Sequence, residues 1–267
     1  MTRRFPLTAD SNQKRQNSSS TRQLFKTTSI MFQNFISQYL ATTGYLEFQP
    51  KAVMFDMDGV IYDSMPYHAR SWHTAMQSIG IEMPPEDAYR YEGMRGVETI
   101  QQLFSKQRSE NISEKEAQKI YKLKSDAFNA CPTPSLMPGI KELMEKVKAS
   151  GLKIVIVTGS AQHTLLDKLD RDLKGLVNRD LVVCANDVEK GKPDPEPYLK
   201  GLQKAGVEPW QAIVVENAPL GVRAAVAAHV FTIAVNTGPL RDSILLAEGA
   251  NMIFPSVAAL AGEFRLE

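Results

Sequence analysis

Cysteine is scarce in this sequence of 267 residues: there are two, Cys131 and Cys184. They suit neither a disulfide framework nor a metal spacing, so a reducing, cytoplasmic setting is expected. Cys184 ends the apolar run Leu181-Val182-Val183 and reads as a small buried hydrophobe. Long apolar runs are missing too. Ile30 to Leu40 reads as a short amphipathic helix, too interrupted to span a bilayer. No apolar segment precedes a small-residue cleavage site, so nothing indicates a secretory signal. Charge of one sign is also lacking, with a net value of +1. Residues 1–50 carry six Lys/Arg against Asp10 and Glu47, while the rest holds 25 basic and 28 acidic residues. Such a faintly acidic body has no electrostatic footprint for nucleic acid. It suits a protein that recruits a divalent cation to screen an anionic substrate. No internal repeat is visible.

What is present begins with Phe55-Asp56-Met57-Asp58-Gly59, directly after the apolar run Ala52-Val53-Met54. Alternate residues of an extended chain point to the same side, so Asp56 and Asp58 can serve one site at a strand's C-terminal edge. In an open α/β sheet that edge binds ligands. Paired carboxylates can hold a hard cation through oxygen or divide the work of nucleophile and acid/base; Asp and Gly are also ordinary turn residues. Three later strand ends favour the chemical readings. Ile154–Val157 stops at Thr158-Gly159-Ser160, Lys192 lies on a loop before a helix, and Ala212–Val215 ends at Glu216-Asn217.

Periodicity divides the chain. Residues 9–22 are too polar to fold alone. The segment 1–45 reads as a partly disordered extension, with Met31 as the expected initiator, although its basic, Ser-rich composition also matches an organelle transit peptide. From Met65 to Cys131 only helical stripes occur: Trp72, Ala75, Met76, Ile79; then Ile100, Leu103, Phe104; then Ile120, Leu123, Ala127, Phe128. From Met137 strands and helices alternate, with strands at 153–157, 181–184, 212–216 and 230–235. That alternation predicts an α/β fold, a Rossmann-like parallel sheet core with an inserted all-helical cap. The core is placed at 46–64 and 134–267, the cap at 65–133.

These motifs resemble the haloacid dehalogenase superfamily, and within it the β-phosphoglucomutase branch: FDMDGVIYDS, YHARSW, GKPDPEPYL and ENAPLGVRAA. The nearest likeness is to inorganic pyrophosphatases of that branch, through MPYH, VTGS, ENAPLGV and FTIAVNTGPL. The resemblance implies a Mg²⁺-dependent phosphohydrolase working through an aspartyl-phosphate. Asp56 is then the nucleophile and Asp58 the general acid/base. Thr158, Gly159 and Ser160 take the phosphate, and Lys192 neutralises its charge. Asp56, Asp58, Glu216 and Asn217 hold the metal, with Asn217 where most of the branch has Asp.

The cap carries the substrate information. Mutases of the branch generally have a cap-loop Lys before its Gly and an Arg three residues after it. Here Glu92 and Gly96 stand in those places. A carboxylate facing a second phosphate repels it unless a metal intervenes, which favours pyrophosphate as substrate; Arg95 partly restores positive charge. The alternative is a sugar-phosphate or other small phosphomonoester phosphatase, or a β-phosphoglucomutase-type mutase. His68, near the hinge, is a site residue on the resemblance and a packing residue otherwise. Lys124, on the third cap stripe, completes the cap candidates. A monomer acting on a small phosphorylated substrate or pyrophosphate is expected, with no membrane partner.

Overall fold

The computed structural model describes residues 32–160 and 163–265. The expectations for residues 9–22 and for Met31 lie outside the described residues. The chain divides into two compact units, Met1–Gly44 and Tyr45–Glu267. In the first, helix α1 spans 32–43, three residues beyond the amphipathic stretch read from sequence. Among the described residues no helix is long and apolar enough to cross a membrane.

The second unit is built on six parallel strands: β1 (Ala52–Phe55), β2 (Lys153–Val157), β3 (Val182–Val183), β4 (Ala212–Glu216), β5 (Phe231–Val235) and β6 (Met252–Phe254). Their order is β3-β2-β1-β4-β5-β6, the Rossmann arrangement, in which the order reverses at β1. Mostly apolar residues fill the central strands, with Thr232 buried within β5, because helices cover both faces and leave neither for water. Those helices are α6 (Ile140–Ala149), α7 (His163–Asp172), α8 (Glu196–Ala205), α9 (Pro219–Ala227), α10 (Asp242–Ala247) and α11 (Val257–Glu263). One core cluster joins Met54, Val155, Val214, Tyr198 and Leu202. Full burial of each such aliphatic side chain contributes roughly 1.5–3 kcal/mol. Gly201 lets α8 come close, since a Cβ there would lie 2.9 Å from Met54 Sδ.

Between β1 and α6 the chain forms four helices: α2 (Met65–Ser78), α3 (Pro85–Arg90), α4 (Gly96–Arg108) and α5 (Glu114–Asn129). They close on their own core of Trp72, Met76, Ile81, Ile100, Leu103 and Phe104. This is the helical cap on a Rossmann-like core that the alternation of elements predicts.

Five details differ from the sequence reading. The cap gains the short helix α3, which carries no clear stripe. β3 has two residues rather than four, and α10, β6 and α11 extend the sheet past Val235. Cys184 is half-buried rather than enclosed; its backbone N–H donates to Asp187 Oδ2 at 2.8 Å, which caps a turn and keeps it near the surface. On α5, Leu123 is 46% exposed whereas Lys124 is 5% exposed. The inward face of that helix is set one residue further along than its aliphatic side chains suggest.

Candidate active site

Register puts the site together. Phe55 pairs with Ile156 on one side and Val215 on the other, so Asp56, Val157 and Glu216 leave the sheet level with one another. The Asp56 amide donates to Val215 O at 3.0 Å, which continues the ladder one residue past the strand. Gly59 then turns the chain with φ +87°, and a Cβ there would lie 2.1 Å from Asn217 Nδ2. Only glycine allows the β1 turn and the β4 tip to approach so closely.

Lys192, brought from the loop before α8, is 2% exposed and contacts Asp56 Oδ1. It also donates to Glu216 Oε1 at 2.6 Å. Burial pulls its pKa down, but the carboxylates of Asp56 and Glu216 outweigh this and hold the ammonium well above the usual lysine value. Burial also drives the Asp56 carboxyl upward; Lys192 opposes it, while Glu216 and Asp58 add repulsion. The pocket is short of positive charge. Glu216 is fully enclosed and saturated. Its Oε1 accepts from Lys192 and from Tyr198 Oη at 2.8 Å, and its Oε2 from the amides of Asn217 and Ala218 at 2.8 and 3.0 Å. Four donors occupy the four lone-pair positions of a carboxylate. Gly221 keeps α9 clear of it, since a Cβ there would fall 1.7 Å from Oε1.

Two buried acceptors at this point have no hydrogen-bond partner: Asp56 Oδ2 and Asn217 Oδ1. An orphaned buried oxygen is costly, and two hard oxygens beside a cluster short of positive charge suit Mg²⁺. Among the described residues no three His, Cys, Asp or Glu side chains form a ready cation cage. Mg²⁺ requires none, because it keeps several waters and binds through one or two carboxylates.

Asp58 is organised from the cap side. Ser64, at the N-cap position of α2, makes no capping bond with its hydroxyl and donates instead to Asp58 Oδ1 at 2.5 Å. His68 Nε2 lies 3.2 Å from the same oxygen. Lys124 Nζ lies 2.7 Å from His68 Nδ1, between the rings of Trp72, Tyr121 and Phe128. Burial favours a neutral Asp58, yet His68, the Ser64 hydroxyl and Lys124 together bring its pKa below the usual carboxylate value. Burial lowers Lys124, with Glu92 and Asp58 partly restoring it. Lys124 thus stands in the site and not on the surface.

Thr158 is buried and its Oγ1 accepts from the Ser160 amide at 3.0 Å. Gly159 and Ser160 join Asp58, His68, Glu92 and Lys124 around a cavity of about 330 Å³. Burial raises the Glu92 carboxyl, and Asp58 repels it further, against His68, Lys124 and Lys192. The cap loop sits low over the core, since a Cβ on Gly93 would be 2.7 Å from Lys192 Cδ. Arg95 does not restore charge in the cavity. Its Nη1 donates to Glu189 O at 2.8 Å, over the loop that carries Lys192. Gly96 has no room for a side chain, because a Cβ would lie 2.1 Å from the Tyr121 ring.

Every site residue read from sequence therefore lies around one nucleophile–cavity unit. The reading missed Ser64 and Tyr198, although both fall within the quoted motif segments. It also missed the α7 cations Lys168 and Arg171, which line the cavity and carry no motif signal.

A family model for haloacid dehalogenase-like hydrolases matches residues 53–235. A phosphorylated carbohydrates phosphatase of Thermotoga maritima is 30% identical over 199 residues, covering 74% of this chain and 90% of that relative. Hexitol phosphatase A of Escherichia coli is 28% identical, over 70% of this chain and 83% of that relative. A solved structure from Bacteroides vulgatus, described as a candidate β-phosphoglucomutase, is 48% identical with a TM-score of 0.84. It covers 87% of this chain and 95% of its own.

Proposed function

Because the chain belongs to the haloacid dehalogenase-like hydrolases, we propose that it hydrolyses small phosphate monoesters through an aspartyl-phosphate on Asp56. One observation carries this reading. Asp56 is tied to Lys192 by one oxygen and keeps the other unpartnered beside the unpartnered Asn217 Oδ1. A carboxylate so held is oriented and desolvated for in-line attack on phosphorus. Lys192 then offsets charge on the transferring group. Asp58, anchored by Ser64 and His68, faces the cavity where the leaving group lies. It is set for ionisation, which suits activation of water in the second step. Protonation of the leaving oxygen in the first step requires Asp58 to carry a proton beforehand; it passes that proton to the leaving oxygen and regains one from the attacking water in the second.

Asp56 and Asn217 would hold Mg²⁺, with Asp58 close by, and we reassign Glu216 from ligand to positioning residue. When bound, Mg²⁺ supplies charge neutralisation for the phosphoryl group. We keep the domain limits 1–45, 46–64 with 134–267, and 65–133 as part of this reading. The two free cysteines support a reducing, cytoplasmic compartment.

The relatives named above support phosphorylated carbohydrates and similar monoesters as the substrate class, which was the alternative at the level of sequence. Pyrophosphate remains a second reading on one specific observation. The cap loop contributes Glu92, and no cation, to the cavity wall. A phosphate-release screen decides between them, run over hexose, hexitol and triose phosphates, glucose 1-phosphate and pyrophosphate, with Mg²⁺ and with chelator. Turnover of esters above pyrophosphate supports the main reading. No phosphate release from any compound overturns it.

A further inference from the structure

The cavity has an inner end at Asp58, His68 and Lys124 and an outer wall formed by Lys168 and Arg171 of α7. That wall is built, not incidental. Lys168 is 13% exposed at its side chain, stacks 3.9 Å over the Tyr62 ring and pairs with Asp172 Oδ2. Tyr62 Oη donates to the same oxygen at 3.2 Å, and Arg171 Nε lies 3.8 Å from Asp172 Oδ1. Two cations and a phenol thus share one carboxylate, and the wall keeps a net positive charge. The remaining acids of α7, Asp167 and Asp170, are drawn away by Arg179 at 2.6 and 2.5 Å. Tyr62 is itself fixed to the Asp58 turn, its carbonyl accepting from the Gly59 amide at 2.7 Å. The cluster is held in register with the acid/base.

We propose that Lys168 and Arg171 form a subsite for a second anionic group, phosphate or carboxylate, on the portion of the substrate that leaves. The inference rests on the reading in which the leaving group departs past Asp58 into this cavity. Asp172 is the internal competitor for that anion, so its charge sets the strength of the subsite.

The test uses matched pairs differing only in a terminal charge: 2-phosphoglycolate against 2-hydroxyethyl phosphate for turnover, and 3-phosphonopropionate against propylphosphonate for binding by calorimetry. Wild-type protein is expected to favour the doubly anionic member of each pair. Arg171→Ala, whose side chain is 70% exposed, should keep its fold. It should raise KM and Kd for the doubly anionic member about tenfold, as loss of one charge-assisted contact does, leaving kcat and the singly anionic member unchanged. Asp172→Asn should act in the opposite sense and tighten the doubly anionic member alone. Equal effects on both members, or none, overturn the subsite. If no ester is turned over but the binding difference stands, the subsite holds and the proposed reaction fails.

Discussion

Lys124 Nζ lies 2.7 Å from Nδ1 of His68. An ammonium only donates, so Nδ1 accepts and the imidazole proton sits on Nε2, facing Asp58. A lysine on the last cap helix thereby fixes the tautomer of a histidine on the first, and through it the charge on a carboxylate of the core. Lys124→Met removes a cation that stabilises ionised Asp58, so the Asp58 pKa rises. The acid limb of the kcat profile, where activation of water by ionised Asp58 governs the second step, should move to higher pH, with a rate loss of about tenfold or more. A profile that keeps its acid limb while the rate falls would assign Lys124 to packing alone.

Asp56→Asn should leave a folded protein without turnover. Loss of a covalent nucleophile is expected to cost at least about 4 kcal/mol in the barrier, roughly a thousandfold. Phosphate release is the measurement, with circular dichroism as the control for folding. Substantial hydrolysis by the folded variant removes Asp56 from the nucleophile role.

Tyr198→Phe keeps the ring in the core and deletes one of the four donors to Glu216. If Glu216 positions the β4 tip, so that Asn217 presents its oxygen, Mg²⁺ affinity should fall by about tenfold, the usual scale for a group behind a metal ligand. Calorimetric titration of Mg²⁺ reads this without substrate. Unaltered affinity would restrict Tyr198 to filling space.

Glu92 should be a stability liability in the metal-free protein. Its pKa is raised on folding, mainly by burial, so the folded state favours the protonated form. That advantage is complete below the unfolded-state pKa and is lost as pH rises through the folded one. Glu92→Gln should therefore raise Tm at neutral pH and have little effect in acid. Melting curves across that range, showing a constant difference between variant and wild type, would contradict the assignment.

Specificity gives Glu92 a second test. Under the pyrophosphate reading, Glu92→Ala damages pyrophosphate hydrolysis more than that of a simple monoester. A kcat/KM for pyrophosphate within about twofold of wild type, some 0.4 kcal/mol, leaves the monoester reading alone.

Much of this was legible because strands announce their own ends. An apolar run that stops at Asp, Thr or Glu states both where the sheet finishes and what it presents there, so Asp56, Asp58, Thr158 and Glu216 could be read without coordinates. Lys192 needed the loop motif as well. What could not be read depends on the rotation of helices. Leu123 and Lys124 differ by one position on α5, and apolar periodicity chose the leucine. Three aromatic rings from α2 and α5 reverse that choice by sheltering an ammonium. Tyr198 and Lys168 were equally hidden, because a tyrosine in one helix and a lysine in the second turn of another do not reveal what they touch. Their partners, Glu216 and Tyr62, are supplied only by the packed fold. The segment after Val235 lacked strong alternation, and β6 is held there by pairing with β5 rather than by its own pattern.

The closeness of Gly93 to the stem of Lys192 has a consequence for how the protein gauges what it holds. Roof and counter-ion meet at one side chain. When the loop rests on that stem, the ammonium acts on the nucleophile in a dry, low-dielectric setting. A ligand that props the loop up admits water and dilutes the same charge. The packing of the cap loop and the setting of the charge beside Asp56 are therefore one property of the fold, and a change in the first is a change in the second.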